Sequence, residues 1–365
     1  MEYGAPLDVM SSSGLFGSID YLFVVQFIFS LFAILLSFDA ITREKEHGTL
    51  RAILSNSLGR AKLATGKLIG GYVTLALPLI LSTLLGILIL AIAGLNVFDG
   101  DFMARTGWIL TSSLVFIAVF FLLGLLVSSL VTSTYSALVL SLAFWLGAVM
   151  VLPRAASLSA QLWRPVKSRQ VTWLEKVSVQ NSLELEKGRA LQEAKAASAD
   201  VDKNGNRGEG PNWQKERDAI AAPFEERIAQ AIRQIEDDYR RRKSAQQRLG
   251  LSVARLSPAG AFASFTTEMA DTGTEAEDRF LAEAERYREM LHNEVFSKIV
   301  RDVYPNGMVS MGMRGPINLA QLPEFRLPGK SVGGSLQGSD LAILLAWFLV
   351  AASLTYGALA RYDVR

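Results

Sequence analysis

The sequence predicts an all-α polytopic membrane protein: about five transmembrane helices plus an external helical, coiled-coil-like insertion. Three observations carry that class. Half of the 365 residues are hydrophobic, yet they crowd into the stretches before residue 153 and after residue 340. Those stretches hold runs close to the roughly 20 apolar residues that one helical crossing requires. Between them the chain is rich in Glu, Lys, Arg, Gln and Ala, and its apolar residues return at helical spacing.

The runs define spans at about Tyr21–Phe38, Leu68–Ala93, Trp108–Val131, Ala137–Leu152 and Leu341–Ala360. The fourth is short and follows the third after only Thr132–Ser136, which fits a tight hairpin partner or a partly re-entrant helix. The organisation is then an external N-terminal segment (1–20), a four-span region (21–152) with a cytosolic segment at 39–67, a large helical soluble domain (153–340), and a last span with a cytosolic tail (341–365).

Orientation follows from Lys and Arg in short loops. Segment 39–67 carries Arg43, Lys45, Arg51, Arg60, Lys62 and Lys67, whereas the 94–107 loop carries only Arg105 and residues 1–20 carry none. The 39–67 loop is therefore expected in the cytosol and, by parity, the 153–340 domain outside. Arg154, Arg164, Lys167 and Arg169, close behind the fourth span, run against that assignment, although long translocated domains largely escape the charge rule. An N-outside start with no basic n-region suggests a further span upstream of this sequence.

Composition excludes several classes. With no cysteine there is no disulfide, thiolate chemistry or Cys-based zinc site. A formal net charge of +2 gives no reason to invoke nucleic acid. Gly59 to Lys67 resembles a phosphate loop only superficially: the glycines are too far apart, and Leu68 stands where a Ser or Thr would hold Mg²⁺. Asp200-Val-Asp202-Lys-Asn204-Gly205 starts like a calcium loop, but Pro211 replaces the bidentate Glu. His47 and His292 form no zinc array, and no catalytic constellation is found.

Segment 39–67 carries the functional signal. Gly48 opens a turn and Thr49 can cap a helix, after which Leu50, Ile53, Leu54 and Leu58 share one face. Asp39, Glu44 and Glu46 precede it, where carboxylates favour a helix N-terminus or meet basic groups of a partner. The residues alone leave two readings open, an interfacial loop that only fixes topology or a docking element.

The order Asp39, Glu44-x-Glu46-x-Gly48-Thr49-Leu50, Arg60 and Gly66-Lys67 at the head of a span resembles the type-2 ABC transporter permease family. Ser57 departs from the proline the family often places before the Arg. Leu256-Ser-Pro-Ala259, Phe262 and Thr272-Gly273 are similar to the subgroup with a large external loop before the last span. The resemblance covers most of the chain. It implies that Asp39, Glu44, Glu46, Gly48, Thr49, Leu50, Ile53, Leu54, Arg60, Gly66 and Lys67 couple the chain to a separate ATPase subunit. That subunit would bind ATP and Mg, this chain having no cofactor of its own. It also implies a second permease chain, homo- or heteromeric, in a bacterial inner membrane, and most members have a span before the one numbered first here. The competing reading is a non-transport scaffold whose external domain recruits an envelope partner.

Within 153–340, helices are expected at about Thr172–Ser198, Pro223–Leu249 and Glu275–Val303, with Pro223 at a first turn and Gly250 at a stop. Phe224, Ile228, Ala231, Ile232, Ile235 and Tyr239 make one apolar stripe; Phe280, Ala284, Tyr287, Leu291 and Val295 make another. The stripes are expected to pack on each other. Arg240 to Lys243 reads as a solvated helix end, and Ser331–Gly338 as a flexible lead into the last span.

Overall fold

Among the described residues, five helices are long and apolar enough to cross a bilayer: Tyr21–Glu46, Thr65–Ile92, Gly100–Leu130, Thr134–Trp163 and Asp340–Ala360. The computed structural model describes residues 20–49, 60–198, 200–201, 207–208, 213–291, 323–336 and 340–361. The chain divides into two units, Met1–Pro153 with Ala254–Arg365, and Arg154–Val253.

In the first unit, the first span comprises α1 (Tyr21–Phe23), a π-helical turn (Val24–Phe29) and α2 (Ser30–Ser37), and α3 (Thr42–Glu46) follows. Next come α4 (Arg60–Ile92), α5 (Gly100–Leu130), α6 (Thr134–Leu146), a second π-helical turn (Gly147–Val151) and α7 (Leu152–Trp163), which crosses into the other unit. The fourth span is therefore not short. The π turn bonds Leu152 N–H back to Gly147 O, one residue further than an α-helix does, and this immediately precedes Pro153, which has no N–H to give.

The unit is organised around α5. Two-thirds of its most apolar window is buried, against a third or less in every other span. The reason is composition: Phe116 to Leu125 carries no polar side chain, and it is covered all round by α2, α4, α6 and the last span, α13 (Asp340–Ala360). A helix apolar on every side belongs at a bundle centre. Gly124 sets the closest crossing, since a Cβ there would fall 1.9 Å from Ser37 Oγ on α2.

Segment 153–340 is divided rather than continuous. From Ala254 onward it clusters with the spans, because α10 (Pro258–Met269) inserts among them and packs on α5, α13 and both π turns. Phe262 stacks on Phe116 at 4.4 Å between ring centroids, midway along α5. Inserted backbone must have its polar ends satisfied by protein, and three side chains contribute here. Ser257 caps the Gly260 amide (2.9 Å), Trp347 Nε1 donates to Leu256 O (3.0 Å), and Arg105 Nη1 donates to Met269 O (2.8 Å). Twelve residues are too few for a crossing, so hydropathy alone cannot flag such a helix.

α11 (Thr274–Met290) starts where the third helix is expected; Val295 and the C-terminal end of the expected range lie outside the described residues. Its stripe meets Phe325: Phe280 and Tyr287 both contact that ring edge-on, and Tyr287 Oη donates to Pro323 O (2.7 Å). The expected flexible lead contains a capped turn, α12 (Val332–Ser335), with Ser331 accepting from Gly334 N. Nearby, burial and the neighbouring Glu275 carboxylate hold the Glu268 carboxyl above its ordinary pKa, against the pull of Lys330.

The second unit is an antiparallel helical hairpin. α8 (Arg169–Ser198) runs out, a two-residue antiparallel pair joins β1 (Asp200–Val201) to β2 (Arg207–Gly208), and α9 (Trp213–Ala254) runs back. Lys176–Glu236 (3.2 Å), Arg227–Glu186 (3.9 Å) and Gln246 Nε2 to Arg164 O (2.7 Å) mark the register. α9 begins ten residues before Pro223 and passes through Gly250. Gly250 lies against Ala160 on α7, so close packing rather than termination explains that glycine. The basic run is paired one turn back, Arg240 with Glu236 and Arg242 with Asp238. Burial acts to raise the Glu236 carboxyl, but Lys176 and Arg240 overcome it and leave its pKa below the ordinary value.

Arg255 anchors α10 to the last span. Its Nε lies 2.8 Å from Asp340 Oδ1 and 3.1 Å from Ser264 Oγ; Asp340 is 2% exposed and Arg255 29%. The pair is therefore asymmetric. Arg255→Ala strands a buried carboxylate and should cost on the order of 3 kcal/mol. Asp340→Asn leaves a guanidinium that reaches water and should cost about 1 kcal/mol. Thermal unfolding of the two variants in detergent checks the order; a larger loss for Asp340→Asn would contradict it.

Candidate functional site: the turn after the first span

The first span ends where Ser37 turns its hydroxyl onto Ala33 O (2.7 Å), and the chain folds over into α3. Thr42 and Ser128, both fully buried, seat that helix on the last turn of α5. Ser128 Oγ accepts from the amides of Ile41 and Thr42 (3.0 Å each), and the Thr42 hydroxyl lies 2.9 Å from Ser128 O. These bonds satisfy the first amides of α3, which have no partner within their own helix.

Three side chains of α3 then reach three different spans. Lys45 Nζ donates to the carbonyls of Ser128 (3.4 Å), Ser129 and Val131 (3.1 Å), at the negative end of the α5 dipole. Glu46 accepts from the Thr134 amide (3.0 Å) and hydroxyl (2.5 Å), at the positive end of α6. Ser133, in the N-cap position of α6, makes no side-chain cap of its own, so a carboxylate from elsewhere in the chain supplies it. Glu44 pairs with Lys67 (2.7 Å), which also donates to Ala40 O, and so holds the first turns of α4. One short helix thus grips one end of α4, α5 and α6.

Glu44, Glu46 and Lys67 are brought together as a clamp internal to the chain, with Glu44 and Glu46 facing span ends. Asp39 pairs with Arg43 on the surface (3.1 Å). Gly48 lies in the turn that closes α3: its φ of +68° is the left-handed C-terminal stop that glycine adopts without strain. Thr49 Oγ1 donates to Glu44 O (3.3 Å). Leu50, Ile53, Leu54 and Leu58, the expected amphipathic face, lie outside the described residues. Arg60 opens α4, and Gly66 sits exposed on it with open space around its Cα.

Sequence reading passed over Thr42, Lys45, Ser128 and Thr134. A signal for Lys45 was present: a lone cation between two carboxylates, within reach of a neighbouring span that ends at Val131 with no basic residue of its own to meet its carbonyls. The chemistry of the arrangement is helix capping, and its consequence is mechanical linkage.

Removing the cap tests that linkage. Lys45→Met is expected to cost about 1 kcal/mol and to speed amide exchange in the last turn of α5, read by mass spectrometry. Asp39→Ala, at an exposed pair, should change stability by under about 0.5 kcal/mol. Unchanged exchange around Leu130 in Lys45→Met would show that the cap is idle.

Comparison with known proteins agrees with this architecture. The profile of the "ABC-2 family transporter protein" family matches residues 7–364. Two curated relatives are each described as "Probable ABC transporter permease protein NosY". The one from Pseudomonas aeruginosa is 35% identical over 124 residues, which is 33% of this chain and 44% of that protein. The one from Stutzerimonas stutzeri is 33% identical over 128 residues, 35% of this chain and 46% of that protein. The chain thus matches under half the length of these relatives, and no solved structure matches it. On the strength of the match across its whole length, the chain belongs to the ABC-2 transporter family.

Proposed function

We propose that this chain is the transmembrane permease subunit of an ABC exporter, coupling ATP hydrolysis in a separate subunit to movement of a substrate across a bacterial inner membrane. The observation that carries the reading is the grip of α3 on one end of α4, α5 and α6. A membrane bundle that is driven from one face needs a rigid element there that touches several spans at once. α3 has that form, and it leads directly into residues 50–59, which join it to α4.

In this reading an ATPase subunit, holding ATP and Mg²⁺, docks against the 39–67 segment, and a second permease chain completes the path. Closure of the ATPases displaces α3. The capping bonds of Lys45 and Glu46 pass that displacement to α5 and α6, and Lys67 passes it to α4. In the same reading residues 153–340 form the extracytoplasmic domain.

The test is to extract the chain from its native membrane, identify what co-purifies, and measure hydrolysis by the reconstituted complex. An ATPase is expected to co-purify and to turn over faster with the chain than alone. Reversing Glu44 and Glu46 to Lys should return the rate to that of the isolated ATPase while the chain still inserts. A wild-type chain with no nucleotide-hydrolysing partner would overturn the reading in favour of a scaffold, and full coupling in the reversed variant would overturn the role given to α3.

A further inference from the structure

Residues 154–174 carry four cations and not one carboxylate. Arg154, Arg164 and Arg169 are exposed, and none of them pairs with a carboxylate among the described residues; Lys167 pairs with Glu175 (2.7 Å). Interleaved with them are large apolar side chains that the fold leaves uncovered: Leu162 is 73% exposed, Trp163 70%, Trp173 56% and Leu174 53%. A water-facing surface has no use for two bare tryptophans, and a hydrocarbon-facing one has no use for three unpaired arginines. A headgroup layer accommodates both.

The position along the chain fits. The fourth span, Thr134–Trp163, has 30 residues, which at 1.5 Å each is about 45 Å, whereas the hydrocarbon core is about 30 Å thick. Its last turns therefore stand at headgroup depth, and Arg154, Gln161 and Arg164 appear there. Pro165 breaks the helix, and Ser168 restarts it by accepting from the Val171 amide (3.2 Å). This places Trp173 and Leu174 in the first turns of α8, a short distance along the chain from Trp163.

We infer that residues 154–174 form a collar that docks on anionic phospholipid headgroups of the leaflet in which the fourth span ends, with the arginines on the phosphates and Trp163, Trp173 and Leu174 in the interface. The inference rests on the reading of this chain as a membrane-spanning subunit but not on the ATPase partner, so either can fail alone. It also accounts for the cations that sit against the charge rule behind the fourth span: they are held by lipid.

The chain has no cysteine, so a single probe can be placed cleanly. Leu174→Cys and, as a control on α9, Asp218→Cys are labelled with an environment-sensitive fluorophore. The full chain is then reconstituted in phosphatidylcholine vesicles with and without phosphatidylglycerol, each containing a headgroup-level spin-labelled lipid. The position 174 probe should be quenched in the phosphatidylglycerol vesicles and lose most of that quenching in pure phosphatidylcholine or at high salt, where the Debye length falls to about 3 Å. The position 218 probe should not be quenched. Replacing Arg154, Arg164 and Arg169 together by Gln should remove the phosphatidylglycerol-dependent part, and replacing them by Lys should restore it, which separates loss of charge from loss of folding. Quenching at 174 no greater than at 218, or equal with and without phosphatidylglycerol, would overturn the collar. So would a 174 probe shielded from both water-soluble and lipid quenchers in native membranes, since a protein would then cover the site.

Discussion

Inside a bilayer no amide or carbonyl can turn to water, and this fold is arranged around that constraint. The points at which it is hardest to meet are helix ends, each of which leaves several backbone groups without a partner. Here the ends are satisfied by groups from other elements. Lys45 and Ser128 join α3 to the end of α5, Glu46 caps α6, and Trp347 and Arg105 reach the two ends of α10. Each such bond solves a local desolvation problem and also ties two elements together. Connectivity in this molecule is a by-product of capping.

That origin explains why the two ends of the bundle differ. At one end a single five-residue helix meets α4, α5 and α6, so a force on it is shared among three spans. At the other, α10 is sunk among the spans to the level of Phe116 and held at its rim by charges, Arg255 with Asp340 and Lys330 with Glu268. Small residues make the insertion possible. Ala259, Gly260 and Ala261 are all buried, and a Cβ on Gly260 would fall 2.0 Å from Ala254 O. The insertion needs a tight turn from Ala254 to Ser257, and only glycine fits its inner side.

What could be read in the sequence follows the length over which each signal is averaged. The spans were legible because their apolar runs are long; the start of the last span, Asp340 against an expected Leu341, differs by one residue. The motif after the first span was legible because its charges and glycines cluster. What escaped was set by single contacts. Nothing in Leu256 to Phe262 is long enough to mark an inserted helix. Pro223 carries the features of a first helical turn, yet α9 starts at Trp213 and runs through it, because the hairpin pairing with α8 outweighs one missing hydrogen bond. The fourth span looked short because hydropathy falls after Leu152, while the helix itself continues to Trp163.

The reversal at Glu44 and Glu46 illustrates how structure can retain a residue assignment and change its meaning. Read from sequence, these carboxylates favour a helix N-terminus or meet basic groups of a partner. In the fold each has a partner within the chain, Glu44 in Lys67 and Glu46, itself exposed, in the Thr134 amide and hydroxyl. Glu44 is thereby taken up within the chain, so contact with an ATPase would draw on the exposed residues of the 39–67 segment. Arg43, with 68% of its side chain exposed, has the position for it. The division is physically sensible. A contact that must release and re-form in every cycle is best built from exposed groups of low net energy. A joint that must not yield is built from buried ones, and Thr42 and Ser128, with no exposed surface at all, are of that kind.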